Sequence, residues 1–109
     1  MEAILDEREF TVEADAMLAR IEAALDACDA DIDFEIKPGG VIEVEFDDDS
    51  KIIVNRHTAA REIWIAARSG GYHFKFDGGR WVGTRDGADL MAILSRCATE
   101  QAGARVELR

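Results

Sequence analysis

The 109-residue chain holds two cysteines, two histidines and no excess of basic charge. Each shortage closes off a class of function. Cys28 and Cys97 lie far apart and form no CxxC, so neither a disulfide framework nor a cysteine zinc site is expected; buried thiols in a reducing compartment fit better. His57 and His73 do not form HExxH or another close pair, which removes the usual catalytic zinc motif. No uninterrupted apolar run is longer than Ile63-Trp64-Ile65-Ala66-Ala67, far short of a membrane span. The first ten residues lack the basic and apolar regions of a secretory leader, so a soluble cytoplasmic chain is expected.

Lys plus Arg number 13 against 23 Asp plus Glu, a formal charge of −10. Such a chain repels phosphate backbones and anionic membranes, so neither nucleic acid nor membrane is an expected partner. Cations and basic protein patches are. The charge is also divided. Residues 1–50 carry 17 acidic and 3 basic side chains, and residues 51–109 carry 6 acidic and 10 basic. Solubility alone gives no reason for that division.

Apolar residues Phe10, Ala14, Met17, Ile21, Leu25 and Cys28 recur every three or four positions, which predicts an amphipathic helix over about 7–28. Asp6 followed by Glu9 gives it a capping-box start. The period then changes to two. Ile32, Phe34 and Ile36 alternate with charged residues, Pro38-Gly39-Gly40 turns the chain, and Ile42, Val44 and Phe46 alternate again. Further strands are predicted from Lys51 to Asn55 and at about 62–67, 71–76 and 80–84. A second helix follows Arg85, capped by Asp86, with Leu90, Ile93, Leu94 and Cys97 inward and Gly103 closing it; Val106 and Leu108 alternate in the tail. Strands joined by short turns between two helices predict a single α+β domain. It is a two-layer sandwich, with both helices on one face of a mainly antiparallel sheet of about six strands.

Glu22, Asp26 and Asp29 are spaced i, i+4, i+7 on the polar stripe of the first helix, and Asp31, Asp33 and Glu35 share the outward side of the first strand. No basic residue lies between Ile21 and Ile36. Like charges at i, i+4 cost roughly 0.2–0.5 kcal/mol. Anions near a helix C-terminus cost about 0.3–1 kcal/mol each. Tolerance of that cost marks the rim as a candidate site for hard cations, against the plainer reading of a solvated charged face. Asp29-x-Asp31-x-Asp33 resembles the start of an EF-hand loop, but position six is Phe34 and position twelve Gly40, so a calcium cage is rejected. Gly70-Gly71 lacks phosphate-loop spacing. A Cys28 nucleophile is disfavoured by its place on the apolar stripe. Trp64 alternates away from Ile63 and Ile65, so it is expected on the open sheet face beside Asn55, Arg56 and Arg68, as a protein-contact hot spot.

The acidic rim, Lys51-Ile52-Ile53-Val54-Asn55-Arg56-His57, the Trp64 strand and Gly70-Gly71-Tyr72-His73-Phe74 follow in order. Trp81-Val82 ahead of Asp86-Gly87 comes next, and Thr99-Glu100-Gln101-Ala102-Gly103 last. Together they resemble the bacterial frataxin family, from about Glu7 to the C-terminus. The resemblance implies two near-parallel helices on an antiparallel sheet, and a non-catalytic role in iron–sulfur cluster assembly as a regulator, adaptor or iron donor. It implies weak, surface-bound Fe²⁺ and Fe³⁺ at Glu22, Asp26, Asp29, Asp31, Asp33 and Glu35. The same rim is implied to dock on a cysteine desulfurase, with Asn55, Arg56 and Trp64 binding partners and the sheet facing the scaffold protein. A monomer is expected. Ala23 and Ala27 stand where relatives often have acids, and Thr11 where some carry a metal-binding His. The rival reading, an iron-oxidising or iron-storing protein, wants paired Glu-x-x-His motifs, which this sequence lacks.

Overall fold

A computed structural model describes residues 5–109. Helix α1 spans Glu7–Asp26. It opens on the predicted capping box: the Glu9 amide donates to Asp6 Oδ1 at 2.8 Å, and the Asp6 amide donates to Glu9 Oε1 at 3.4 Å. It ends two residues earlier than the apolar period predicts, because Ala27 caps it and Cys28 falls outside. Cys28 is half-buried, its Sγ accepting from the Ala30 amide.

Six strands follow: β1 (Asp33–Lys37), β2 (Val41–Glu45), β3 (Lys51–His57), β4 (Glu62–Ala67), β5 (Gly70–Asp77) and β6 (Arg80–Gly83). They pair in sequence order, every pair antiparallel, as an open meander. Helix α2 (Leu90–Ala102) closes the order. Asp89 caps it, accepting from the Ala92 amide at 3.2 Å. Asp86, the cap expected from sequence, instead holds the preceding loop by accepting from the Ala88 amide. Gly87 between them takes φ 72, a left-handed conformation that a helix cannot continue through.

One core unites both helices with one sheet face. Phe10, Ala14, Met17, Ile21 and Leu25 of α1 meet Ile42, Val44, Ile52, Val54, Ile63, Ile65 and Phe74 of the strands, and Leu90, Leu94 and Cys97 of α2. Met91 is buried and the expected Ile93 only half-buried. Each fully buried aliphatic or aromatic side chain contributes about 1.5–3 kcal/mol. The core thins at β1. Phe34 and Ile36 lie opposite Val44 and Ile42 in the ladder, yet Phe34 is half-buried and Ile36 is 49% exposed. Strand β1 is thus an edge that the helices scarcely cover.

Polar clasps fix the layers. Gln101, the one buried polar side chain among the described residues, accepts from the Arg68 amide and donates to Ser50 Oγ and the Lys51 carbonyl. It ties α2 to the β2–β3 and β4–β5 turns. Thr99 and Ser95 each donate to and accept from the backbone of the tail, seating Val106 and Leu108 in the core. Among the described residues no helix is long and apolar enough to cross a membrane.

Gln101→Leu removes the clasp while keeping the volume, and leaves the Arg68 N–H and the Lys51 carbonyl without their partner. It is expected to cost about 1–3 kcal/mol, read as a fall of several degrees in Tm by calorimetry. An unchanged Tm would refute the clasp.

Candidate functional site

Glu22 and Asp26 project from the last turns of α1, and both are exposed. Because α1 stops at Asp26, Asp29 lies in the link to β1, with Asp31, rather than on the helical stripe expected for it. On β1 the side chains alternate. Phe34 and Ile36 share the side of the buried Val44 and Ile42, so Asp33 and Glu35 point to the open face. The six carboxylates therefore wrap the β1 edge, from the helix layer to the open sheet. All are exposed, and among the described residues none forms a salt bridge or side-chain hydrogen bond.

Several other acids are paired. Asp15 pairs with Arg56, Asp48 with Arg68 and Glu100 with Arg96. Glu43 is held between Lys37 and Lys51, each Nζ 2.7 Å away. These two hydrogen-bonded ammonium groups hold the Glu43 carboxyl down to about 2. Hydrogen bonds from Ser50 and the Arg68 guanidinium likewise hold Asp48 down to about 2. Glu45, exposed and opposite Asp33 in the ladder, extends the unpaired set to β2. Hairpin register was the signal for it: a strand running outward through Glu43 and Glu45 returns them beside Glu35 and Asp33.

Hard carboxylate oxygens suit Fe²⁺, Fe³⁺, Mg²⁺ or Mn²⁺. Among the described residues no three carboxylate, imidazole or thiol groups converge so as to hold a metal ion. The rim can therefore attract cations, but each would keep much of its water.

The residues expected to meet partners separate. Asn55 and Trp64 are paired across β3 and β4 and share the open face. Arg56, one position on, lies on the opposite side of β3 and pairs with Asp15 of α1. Its stem packs on the β1–β2 turn, where a Cβ at Gly40 would meet the Arg56 Cβ at 2.9 Å. Trp64 is half-buried rather than freely exposed. His57 stacks on one side of its ring (3.8 Å between centroids, 14°) and His73 on the other (4.3 Å, 7°). The indole N–H donates to Glu62 Oε1 at 2.7 Å. Sequence reasoning did not foresee this three-ring stack, although Trp64 opposite His73 follows from the tight Arg68-Ser69 turn.

Residues 3–104 match the model of the Frataxin-like domain. The chain is 60% identical over 105 residues to the iron-sulfur cluster assembly protein CyaY of Dechloromonas aromatica, covering 96% of this chain and all of that one. It is 50% identical over 104 residues to the protein of the same name from Paraburkholderia phymatum, covering 95% and 98%. Among solved structures, frataxin from Psychromonas ingrahamii superposes with a TM-score of 0.86 at 26% identity, covering 94% of this chain and 97% of that one. A trimeric frataxin from the yeast Saccharomyces cerevisiae, complexed with ferrous iron, superposes at 0.64 and 26% identity, covering 94% and 91%.

The Lys37–Glu43–Lys51 bridge has a pH signature. A folded-state carboxyl near 2, against its ordinary 4.5, binds fewer protons than the unfolded chain between those limits. Its stabilisation is present in full above the unfolded value and is lost as pH falls toward about 2. Glu43→Gln is expected to flatten the dependence of urea-unfolding stability on pH between these limits. An identical slope in the variant would contradict the bridge.

Proposed function

The chain belongs to the bacterial frataxin family, and from that premise we propose that it is a non-catalytic, iron-binding regulator and adaptor of iron–sulfur cluster assembly. It docks on a cysteine desulfurase through the carboxylate rim. The observation that carries this reading is the unpaired state of Glu22, Asp26, Asp29, Asp31, Asp33 and Glu35, in a chain whose Asp15, Glu43, Asp48 and Glu100 all have cationic partners. The pathway is supported by the names of the bacterial relatives, and iron as the cation by the ferrous complex of the yeast frataxin.

Iron here is cargo. Carboxylates that stay hydrated and do not converge bind an ion weakly, leave waters in its coordination shell and let it exchange. The same anionic field steers a basic protein patch toward the rim, where affinity and on-rate both weaken with salt. Binding of either ligand lowers the negative potential felt by the other, so iron loading modulates docking. On the open face Asn55 and the edge of the Trp64 ring, held between His57 and His73, face the scaffold protein, while Arg56 supports them from behind. The protein works as a cytoplasmic monomer. Iron oxidation gains no support: His57 and His73 stack on Trp64, His73 meets the single carboxylate of Glu62 at 3.5 Å, and among the described residues no three such groups converge.

The test is calorimetric titration of the purified cysteine desulfurase with the wild-type chain and with Asp29→Asn/Asp31→Asn/Asp33→Asn, at low and high salt. Three exposed charge contacts of about 0.2–1 kcal/mol each predict a weakening of roughly threefold to a hundredfold, with a shallower salt dependence in the variant. Binding that survives both neutralisation and high salt would overturn the rim as the docking surface.

A further inference from the structure

Strand β6 has half the length of β5 and pairs only with its second half, from Phe74 opposite Gly83 to Asp77 opposite Arg80. The last bond on that edge runs from the Thr84 amide to the His73 carbonyl at 2.9 Å. Backbone groups alternate sides along an antiparallel strand. Gly71, two residues before His73, therefore turns its N–H and C=O to the same outer edge, where no strand opposes them. Helix α2 passes beside the gap. Between them lies a cavity of about 260 Å³ whose walls include Tyr72, Phe74, Thr84, Arg85, Ile93 and Arg96.

In a chain of net charge −10, the lining of this notch carries two guanidiniums, Arg85 and Arg96, against one carboxylate, Asp86. Arg96 is held in place by donating to Tyr72 Oη at 3.2 Å, by lying 5.6 Å from the Tyr72 ring centroid, and by Glu100 Oε1 at 3.7 Å. Arg85 has no hydrogen-bond or ion-pair partner among the described residues. Asp86, the acid on the wall, directs Oδ1 at the Ala88 amide of its own loop. Phe74 and Ile93 supply an apolar floor.

We propose that this notch binds a small ligand bearing a doubly charged oxyanion, either a short dicarboxylate or a phosphate. A guanidinium presents a planar fork of donors that matches carboxylate and phosphate oxygens bidentately, and an unpartnered fork beside one held open by an aromatic ring is ready for such a group. The Gly71 N–H adds a neutral donor, and Phe74 and Ile93 offer an apolar floor to the ligand's carbon skeleton or face. The cavity volume is below the common range for drug-sized ligands, which limits the occupant to a small metabolite. The site lies on the basic half of the chain and shares no residue with the carboxylate rim.

Succinate and inorganic phosphate are the probes, titrated in separate arms against the ¹⁵N-labelled chain, with sodium chloride at matched ionic strength as control. Saturable shifts confined to Gly71, Thr84, Arg85 and Arg96 are expected in at least one arm, and which arm responds identifies the oxyanion. Arg85→Gln, which breaks no contact in the folded chain, is expected to weaken that binding about tenfold with an unchanged melting temperature. Ile93→Trp, which fills the cavity, should abolish it. The proposal is overturned by shifts that chloride reproduces, by shifts spread over every surface arginine, or by wild-type affinity in Arg85→Gln.

Discussion

Mutual repulsion among unpaired carboxylates is the constraint around which this structure is arranged. Six anions with no counter-ion are tolerable only while each stays hydrated, since a carboxylate taken out of water without a partner costs several kcal/mol. The fold leaves all six exposed to water. Helix α1 stops at Asp26, a short link carries Asp29 and Asp31, and β1 forms a sheet edge whose inner face is only partly covered. The exposed Ile36 and half-buried Phe34 are the counterpart of this arrangement, because an edge drawn fully into the core would bring the rim into a lower dielectric.

Cohesion is supplied away from that edge. The sheet centre carries the core, Gln101 and the two hydroxyls of Ser95 and Thr99 clasp the second helix and the tail, and Arg56 joins α1 to β3 through Asp15. The Lys37–Glu43–Lys51 bridge brings positive charge close to the rim and commits its hydrogen bonds to Glu43, while Glu35 and Glu45 feel the two ammonium groups only through space. Stability and negative potential therefore come from different residues. The open face is separate again: Trp64 is clamped by two imidazoles and Glu62, which fixes a rigid surface.

Much of this was legible in the sequence where local rules govern. The α1 stripe and capping box, the period-two strands and the order helix, six strands, helix all follow from spacing. The acidic rim was legible too, because it is nearly contiguous in the chain. What escaped was set by contacts distant in sequence or by a loop's own bonding. Asp86 and Asp89 look alike as caps until Gly87 is seen to break the backbone between them. Arg56 and Asn55 look like one patch until strand alternation sends them to opposite sides. Ile36 reads as a core residue because alternation gives the side chain's direction and says nothing of whether a helix reaches over it. The stack on Trp64 brings together residues from three strands, and Glu45 joins the rim only through hairpin register.

The central claim is that one unpaired carboxylate surface serves both the metal and the protein partner. An anaerobic titration of Fe²⁺ into the preformed complex of this chain with the cysteine desulfurase, followed by amide NMR of the labelled chain, tests it most directly. The account predicts that iron broadens amides from Glu22 to Glu35 in the free chain, and that the same amides are protected from iron in the complex. Equal broadening of those amides in free and bound chain, with the desulfurase perturbing Asn55 and Trp64 instead, would contradict it.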